Sequence, residues 1–292
     1  MAPQMLNRTL SRFLNPRQKL ALKSKINDTR QRIVRRWLGY DGPRLTERLR
    51  AFGIAETDTL LVHVNFEPDS GFRGAPLDLV NALVALVGTH GNLMMVSIPF
   101  RGAAYDYLLQ GKVFNVRKTI SMMGLVTELF RRREGTLRSL HPTHPVLAFG
   151  KDAAWLTADH DKCLFPCGAG SPFDKFRQLR GKILFFDVGF EAVTFFHYVE
   201  DVLKDRLPFP VYDEKLFSVQ AVDAGGQTRT IQTYTFNKQI PRRADKLEAE
   251  MVRQRKLRPG RIGNSRFILT SAEDVVTCQT AMVEARNYPY NL

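Results

Sequence analysis

Cysteine is scarce in this chain: Cys163, Cys167 and Cys278 are the only three in 292 residues, an odd number that gives no basis for a disulfide scaffold. A reducing, cytoplasmic setting is the expectation. His160, Cys163 and Cys167 fall close together, but they lack an obvious fourth ligand and Pro166 interrupts the set. The reading is therefore two small buried thiols and no metal. Long apolar runs are missing too. No stretch of about eighteen consecutive apolar residues occurs, so no spanning helix is expected, and the N-terminus lacks the apolar core of a secretory signal. Acidic residues are the third shortage, and a local one. Residues 1–50 hold thirteen Lys and Arg against Asp28, Asp41 and Glu47, a balance of +10 within a chain of net charge +14.

What is present is otherwise ordinary, with 44% hydrophobic and 25% charged residues, the composition of a soluble globular protein. Residues 1–42 read as a basic arm. Leu20, Leu22, Ile26, Ile33, Val34 and Trp37 recur at helical spacing, and Pro16 separates this helix from a first short piece. Three roles compete for such an arm: packing on the body or on a second subunit of a homo-oligomer, contact with a membrane surface, or targeting. The packing role leads. No nucleic acid is expected as a partner, because stacking aromatics and a recognised binding module are absent.

The body is read as residues 43–292. Leu45 to Phe52 predicts a helix, Thr59 to Val64 a buried strand, Pro76 to Val87 a helix with proline in its first turn, and Leu93 to Ile98 a second strand. This strand–loop–helix–strand order predicts a parallel crossover. A helix is expected from Ser121 to Arg133. His141 and His144 each precede a proline, which holds them extended. Gly168 to Phe173 reads as a turn opening another helix. Leu216 to Val222 and Thr228 to Phe236 predict an antiparallel hairpin about Gly225-Gly226. A charged helix from Arg243 to Lys256, a turn over Arg258 to Gly263, a strand from Ser265 and a last helix capped by Ser271 complete the chain.

One stretch carries the chemistry. Ile183 to Phe186 has the length and flanks of a buried strand, and after Asp187 and Gly189 the pattern turns helical. On that helix Thr194, His197 and Glu200 recur every three residues, along one side of two turns. A group that takes a proton near neutrality, with a carboxylate in reach, sits just past a strand end, the usual place for sites in open α/β sheets.

Seven pieces in order, His63-Val-Asn-Phe, Gly91-Asn-Leu-Met-Met, Ser121-Met-Met-Gly, Arg138-Ser-Leu-His-Pro, Gly168-Ala-Gly-Ser-Pro, Thr194-Phe-Phe-His-Tyr-Val-Glu and Arg261-Ile-Gly, resemble the aminoglycoside 3-N-acetyltransferase family from about residue 45 onward. The resemblance implies a three-layer α/β/α fold with a mixed, largely parallel sheet, to which the hairpin is appended. It also implies an enzyme that moves an acetyl group from acetyl-CoA to a small-molecule amine. His197 matches the family's catalytic histidine and Glu200 the carboxylate after it. Ser121, Arg138 and Ser139 match positions near the cofactor, while Ser171 and His63 lie in other motif segments and join the cofactor-binding candidates. Asp187, Glu191 and Thr194 are the candidates for holding the acceptor. The chain departs from the family at Ile120, Pro145 and Asp187.

The charge balance bears on the acceptor. Aminoglycosides are polycations, whereas this protein is basic. The resemblance extends to relatives that acetylate amino sugars, nucleotide-linked ones of surface-polysaccharide synthesis among them, and an anionic acceptor of that kind suits a basic protein better; an amino sugar is therefore the expectation. Aminoglycoside modification is the alternative, and an inactive coenzyme-binding or membrane-surface protein a further one.

Overall fold

The computed structural model describes residues 15–291. Helix α1 (Pro16–Trp37) leads to α2 (Gly42–Ala51), strand β1 (Thr59–Val64), α3 (Pro76–Val87), β2 (Asn92–Val96), α4 (Ala104–Leu108) and β3 (Phe114–Asn115). Next come α5 (Leu125–Arg132), β4 (Leu137–Arg138), β5 (Val146–Gly150), α6 (Ala153–Thr157), α7 (Pro172–Gln178), β6 (Lys182–Phe186) and α8 (Phe196–Val202). The chain ends with β7 (Phe217–Val222), β8 (Thr228–Thr233), α9 (Ala244–Arg253), β9 (Arg258–Ile262), β10 (Ser265–Ser271) and α10 (Ala272–Glu284).

Seven strands form the main sheet in the order β4-β5-β2-β1-β6-β10-β9. The apolar runs read from the sequence take its centre, where β1 pairs in parallel with β2 on one side and β6 on the other. Within this sheet, among the described residues, parallel pairing is confined to these three strands. Outside them β5 lies antiparallel to β2, β4 to β5, β10 to β6 and β9 to β10. The sheet is mixed, as expected, but with more antiparallel pairing than expected.

Alternation along the central strands sorts their side chains between two layers. Leu60, Val62, Leu93, Met95, Leu184 and Phe186 pack against α2, α3 and α5. Leu61, Met94, Val96, Ile183 and Phe185 face α6 to α10. Both faces are covered, so these strands read as continuous apolar runs. Each such side chain is worth about 1.5–3 kcal/mol of burial. The hairpin β7–β8 forms, and β3 adds to β7 in parallel to make a separate three-stranded sheet. Asp223 sets its turn by accepting from the amides of Gly225 and Gln227.

Three local expectations need correction. Arg258 to Gly263, read as a turn from Pro259 and Gly260, is mostly the edge strand β9, where a missing N–H is tolerated because one side has no neighbour. The helix expected from Ser121 starts only at Leu125, because Gly124 has φ 105°, outside helical space. The helix expected just after Gly189 is a single tight turn, Phe190–Ala192, followed by α8 from Phe196. The short helical piece anticipated before Pro16 lies outside the described residues.

Candidate functional site

Strand β6 delivers the chain to Asp187, which takes a left-handed conformation (φ 52°). Its carboxylate accepts from the Ser265 hydroxyl (2.6 Å) and the Arg266 amide (2.9 Å), so both oxygens are turned to β10. Burial raises its pKa against the lowering effect of those two bonds. Asp187 thus fastens the end of β6 to its neighbour, and among the described residues none of its hydrogen bonds reaches His197. Glu191 is exposed on the tight turn and sits beside Glu248 of α9; burial, with Glu191 adding, raises the pKa of Glu248. Thr194 precedes α8, and its carbonyl accepts from the amide of His197 (3.1 Å).

On α8, His197 and Glu200 meet as their spacing predicts, Nδ1 to Oε2 at 2.6 Å. Glu200 is fully buried. Its second oxygen, Oε1, accepts from Nε of Arg242 at 3.0 Å. Arg242 is held in turn by the carbonyls of Asn237 and Ile240 and lies over the ring of Phe236. A carboxylate paired with a guanidinium can only accept, so Nδ1 of His197 carries the proton and Nε2 keeps its lone pair. The imidazole stacks on Phe236 with ring centroids 4.3 Å apart. Its side chain is 26% exposed while that of Glu200 is 0% exposed, so the imidazole reaches solvent and the carboxylate behind it does not.

Four of the six histidines stand in one row. The ring of His144 meets His197 edge-on at 5.8 Å. Nδ1 of His144 bonds the Thr143 hydroxyl (3.0 Å), which bonds Nδ1 of His141 (3.2 Å), and His141 stacks on His160 at 4.5 Å. His160 Nε2 can only donate to the Pro166 carbonyl (2.8 Å), so its Nδ1 accepts from the Ser139 hydroxyl (2.8 Å). Burial pushes His160 down to about 3 and His141 and His144 well below their ordinary value. These three are neutral at physiological pH. Both nitrogens of His160 are engaged, and among the described residues no cluster of three or more ligand side chains is poised for a metal.

The other candidates lie as follows. His63 projects to the same sheet face as α8, stacked on Phe185 at 5.1 Å; its Nε2 is buried without a partner and burial lowers its pKa to about 4. Ser171 caps α7 by accepting from the Asp174 amide. The amide of Ser121 donates to Glu128, and its hydroxyl accepts from the Met123 amide. Arg138 is buried under Phe114 and donates to the carbonyls of Ser97, Val116 and Thr119, tying two loops to β4. Burial lowers it to about 9, so it stays positive at neutral pH. The contacts therefore join His197, Glu200 and Thr194 directly and bring Ser139 in through the histidine row. They do not join Asp187, Arg138 or Ser171 to that group. Arg242, Phe236 and Thr143 were missed by sequence reasoning. His141 and His144 were weighed as catalytic candidates and read instead as hydrogen-bonding loop residues, though their spacing in a doubled His-Pro repeat was a signal.

Two features suit a phosphorylated ligand. No side chain caps the N-terminus of α5, and a Cβ built on Gly124 in front of it would meet nothing within 4 Å. Backbone amides there are open to an anion. At the far end of the same helix a cleft of about 710 Å³ is lined by Arg117, Lys118, Arg131, Arg132 and Arg138.

Comparison with known proteins agrees with this architecture. The family model described as aminoglycoside 3-N-acetyltransferase matches residues 61–284. Aminoglycoside N(3)-acetyltransferase VII of Streptomyces paromomycinus is 29% identical over 179 residues, which are 55% of this chain and 61% of that protein. An aminoglycoside N(3)-acetyltransferase III from Salmonella is 29% identical over 171 residues, 54% of this chain and 59% of that protein. The chain thus spans about three fifths of the length of these relatives. Among solved structures, aminoglycoside acetyltransferase AAC(3)-Xa superposes with a TM-score of 0.75 at 22% identity, covering 90% of this chain and 99% of the other. AAC-IIIb, solved as a binary complex with CoASH, gives 0.72 at 23% identity, covering 85% and 97%.

Proposed function

The chain belongs to the aminoglycoside 3-N-acetyltransferase family, and from that premise we propose that it transfers the acetyl group of acetyl-CoA to an amine of an aminoglycoside, with His197 as general base. The observation that carries this reading is the linkage His197–Glu200–Arg242, which leaves a partly exposed Nε2 with a lone pair and a buried, compensated carboxylate behind it. An amine arrives mostly as ammonium and must lose a proton before it attacks, which is the task of such a base. Nε2 takes that proton, and Glu200 stabilises the imidazolium that results. Coenzyme A supplies the activated acetyl thioester. Residues to hold it are available at the open N-terminus of α5, where Ser121 to Gly124 precede the helix, and in the basic cleft beside Arg138. The carboxylates of Glu191 and Glu248 are suited to a cationic acceptor.

The acceptor class rests on the relatives, whose names are those of aminoglycoside enzymes. Nothing in the comparisons supports a nucleotide-linked amino sugar, which the positive charge and the resemblance to a wider family had favoured. The test is thiol release from acetyl-CoA with purified protein and panels of aminoglycosides and nucleotide-linked amino sugars. Turnover with aminoglycosides is expected, falling by about 10²–10⁴-fold in His197→Ala. Turnover that survives this substitution would remove the mechanism, and turnover with nucleotide sugars alone would remove the acceptor.

A further inference from the structure

Helix α1 carries an apolar face that nothing in the described structure covers. Among its described side chains only Val34 is buried. Attachment to the body is confined to the C-terminal half. The Arg30 guanidinium pairs with Asp69 (2.8 Å), Arg73 donates to the carbonyl of Arg35 (3.0 Å), and just past the helix Tyr40 bonds Gly71 through the backbone (3.0 Å). Leu22, Ile26, Ile33 and Trp37 are spaced by four, seven and four residues, which at about 100° per residue places them within an arc of roughly 60°. They are 37%, 46%, 56% and 75% exposed. Lys19, Lys25, Arg30, Arg32 and Arg36 flank that arc. Over Pro16–Trp37 eight Lys and Arg stand against Asp28 alone, a balance of +7.

The charge decides what fits this face. A second copy of the chain would bring the same +7 helix, and residues 51–292 hold a further +4, so self-association sets like charges together. An anionic lipid surface offers the opposite sign to the flanks and an acyl boundary to the stripe. We propose that α1 is an interfacial helix that docks this protein on anionic bilayers, with Leu22, Ile26, Ile33 and Trp37 entering the acyl boundary and the Lys and Arg flanks lying among the headgroups. Held at its C-terminal end, the helix would keep the body at the bilayer surface. The inference is independent of the acetyl-transfer reading.

The experiment uses the full chain carrying Trp155→Phe, which leaves Trp37 as its one tryptophan. Vesicle flotation compares phosphatidylcholine alone with phosphatidylcholine containing about 30% phosphatidylglycerol, at about 0.1 M and about 0.5 M NaCl. The expected result is flotation with the anionic vesicles only, a blue shift of Trp37 emission on binding, and loss of both at high salt. The double variant Ile26→Glu/Ile33→Glu abolishes them, and Arg32→Glu/Arg36→Glu weakens binding at least roughly tenfold, with unfolding midpoints unchanged in both. Absence of flotation by the parent protein overturns the proposal, as does flotation indifferent to the isoleucine substitutions. A dimer in solution that Ile26→Glu/Ile33→Glu disperses would also overturn it, by assigning the face to a second copy.

Discussion

Glu200 has no exposed surface, and at such a place a lone carboxylate would cost several kcal/mol. Arg242 removes that cost, which leaves the other oxygen free to fix one tautomer of His197. Arg242→Met should therefore destabilise the fold by about 3–5 kcal/mol, read as a lowered urea midpoint. Glu200→Gln combined with Arg242→Met should recover much of the loss, because the stranded charge is gone, while acetyl transfer stays low. If the double variant is no more stable than Arg242→Met, the compensation account is wrong. If Glu191 and Glu248 hold the acceptor as proposed, Glu191→Gln with Glu248→Gln should raise KM for a polycationic amine about tenfold with kcat little changed, the mark of lost uniform binding. At this scale the sequence showed the pair His197 and Glu200, since three residues on a helix always bring side chains together. It could not show Arg242, forty-two residues away on another segment, because nothing local to Pro241-Arg242-Arg243 differs from any basic loop.

Among the elements, those bounded by local chemistry were legible. The last helix begins where Ser271 accepts from the Asp274 amide (3.1 Å), as its N-cap sequence predicts. Ser271→Ala should cost about 1 kcal/mol, measured by thermal unfolding. Strand β1 and helix α3 fall at the predicted residues, one set by an unbroken apolar run and the other by Pro76 at its start and Gly88 at its end. Elements that depend on a neighbour were not legible. Strand β9 exists because β10 pairs with it at Pro259 and Gly260, residues whose own preferences are for a turn. Strand β5 follows the doubled His-Pro segment and is fixed by β2 and β4 on its two sides. The short start of α5 has a different cause. Gly124 adopts a conformation open to glycine alone, and a glycine is compatible with too many conformations to announce which one it takes.

For the whole molecule, the buried neutral histidines make stability depend on pH. His63 and His160 have pKa values lowered by burial to about 4 and about 3. Between pH about 6.5 and about 4 the unfolded chain binds protons that the folded one refuses, so stability rises with pH in that window and is lost as pH falls through it. Each of these two groups should contribute on the order of 1 kcal/mol per pH unit there. Urea unfolding at pH 7, 5.5 and 4.5 (about 2.5 units in all) should show the midpoint dropping steadily. A flat profile would mean that the rings are charged or solvated in the fold.

The sequence by itself determined the central strands, the hairpin, the basic amphipathic helix and the pairing of His197 with Glu200, because each follows from periodicity or from residues within one or two turns of each other; the layers followed from the resemblance to a family. Only the tertiary structure decided the antiparallel flanks of the sheet, the anchoring of Asp187 on β10 in place of a position beside His197, and the joining of Arg242, Phe236 and His144 around His197. Those outcomes depend on which distant segments share a burial site. Burial makes an unpaired charge or an unbonded ring nitrogen costly, and the partner that removes the cost can come from anywhere in the chain.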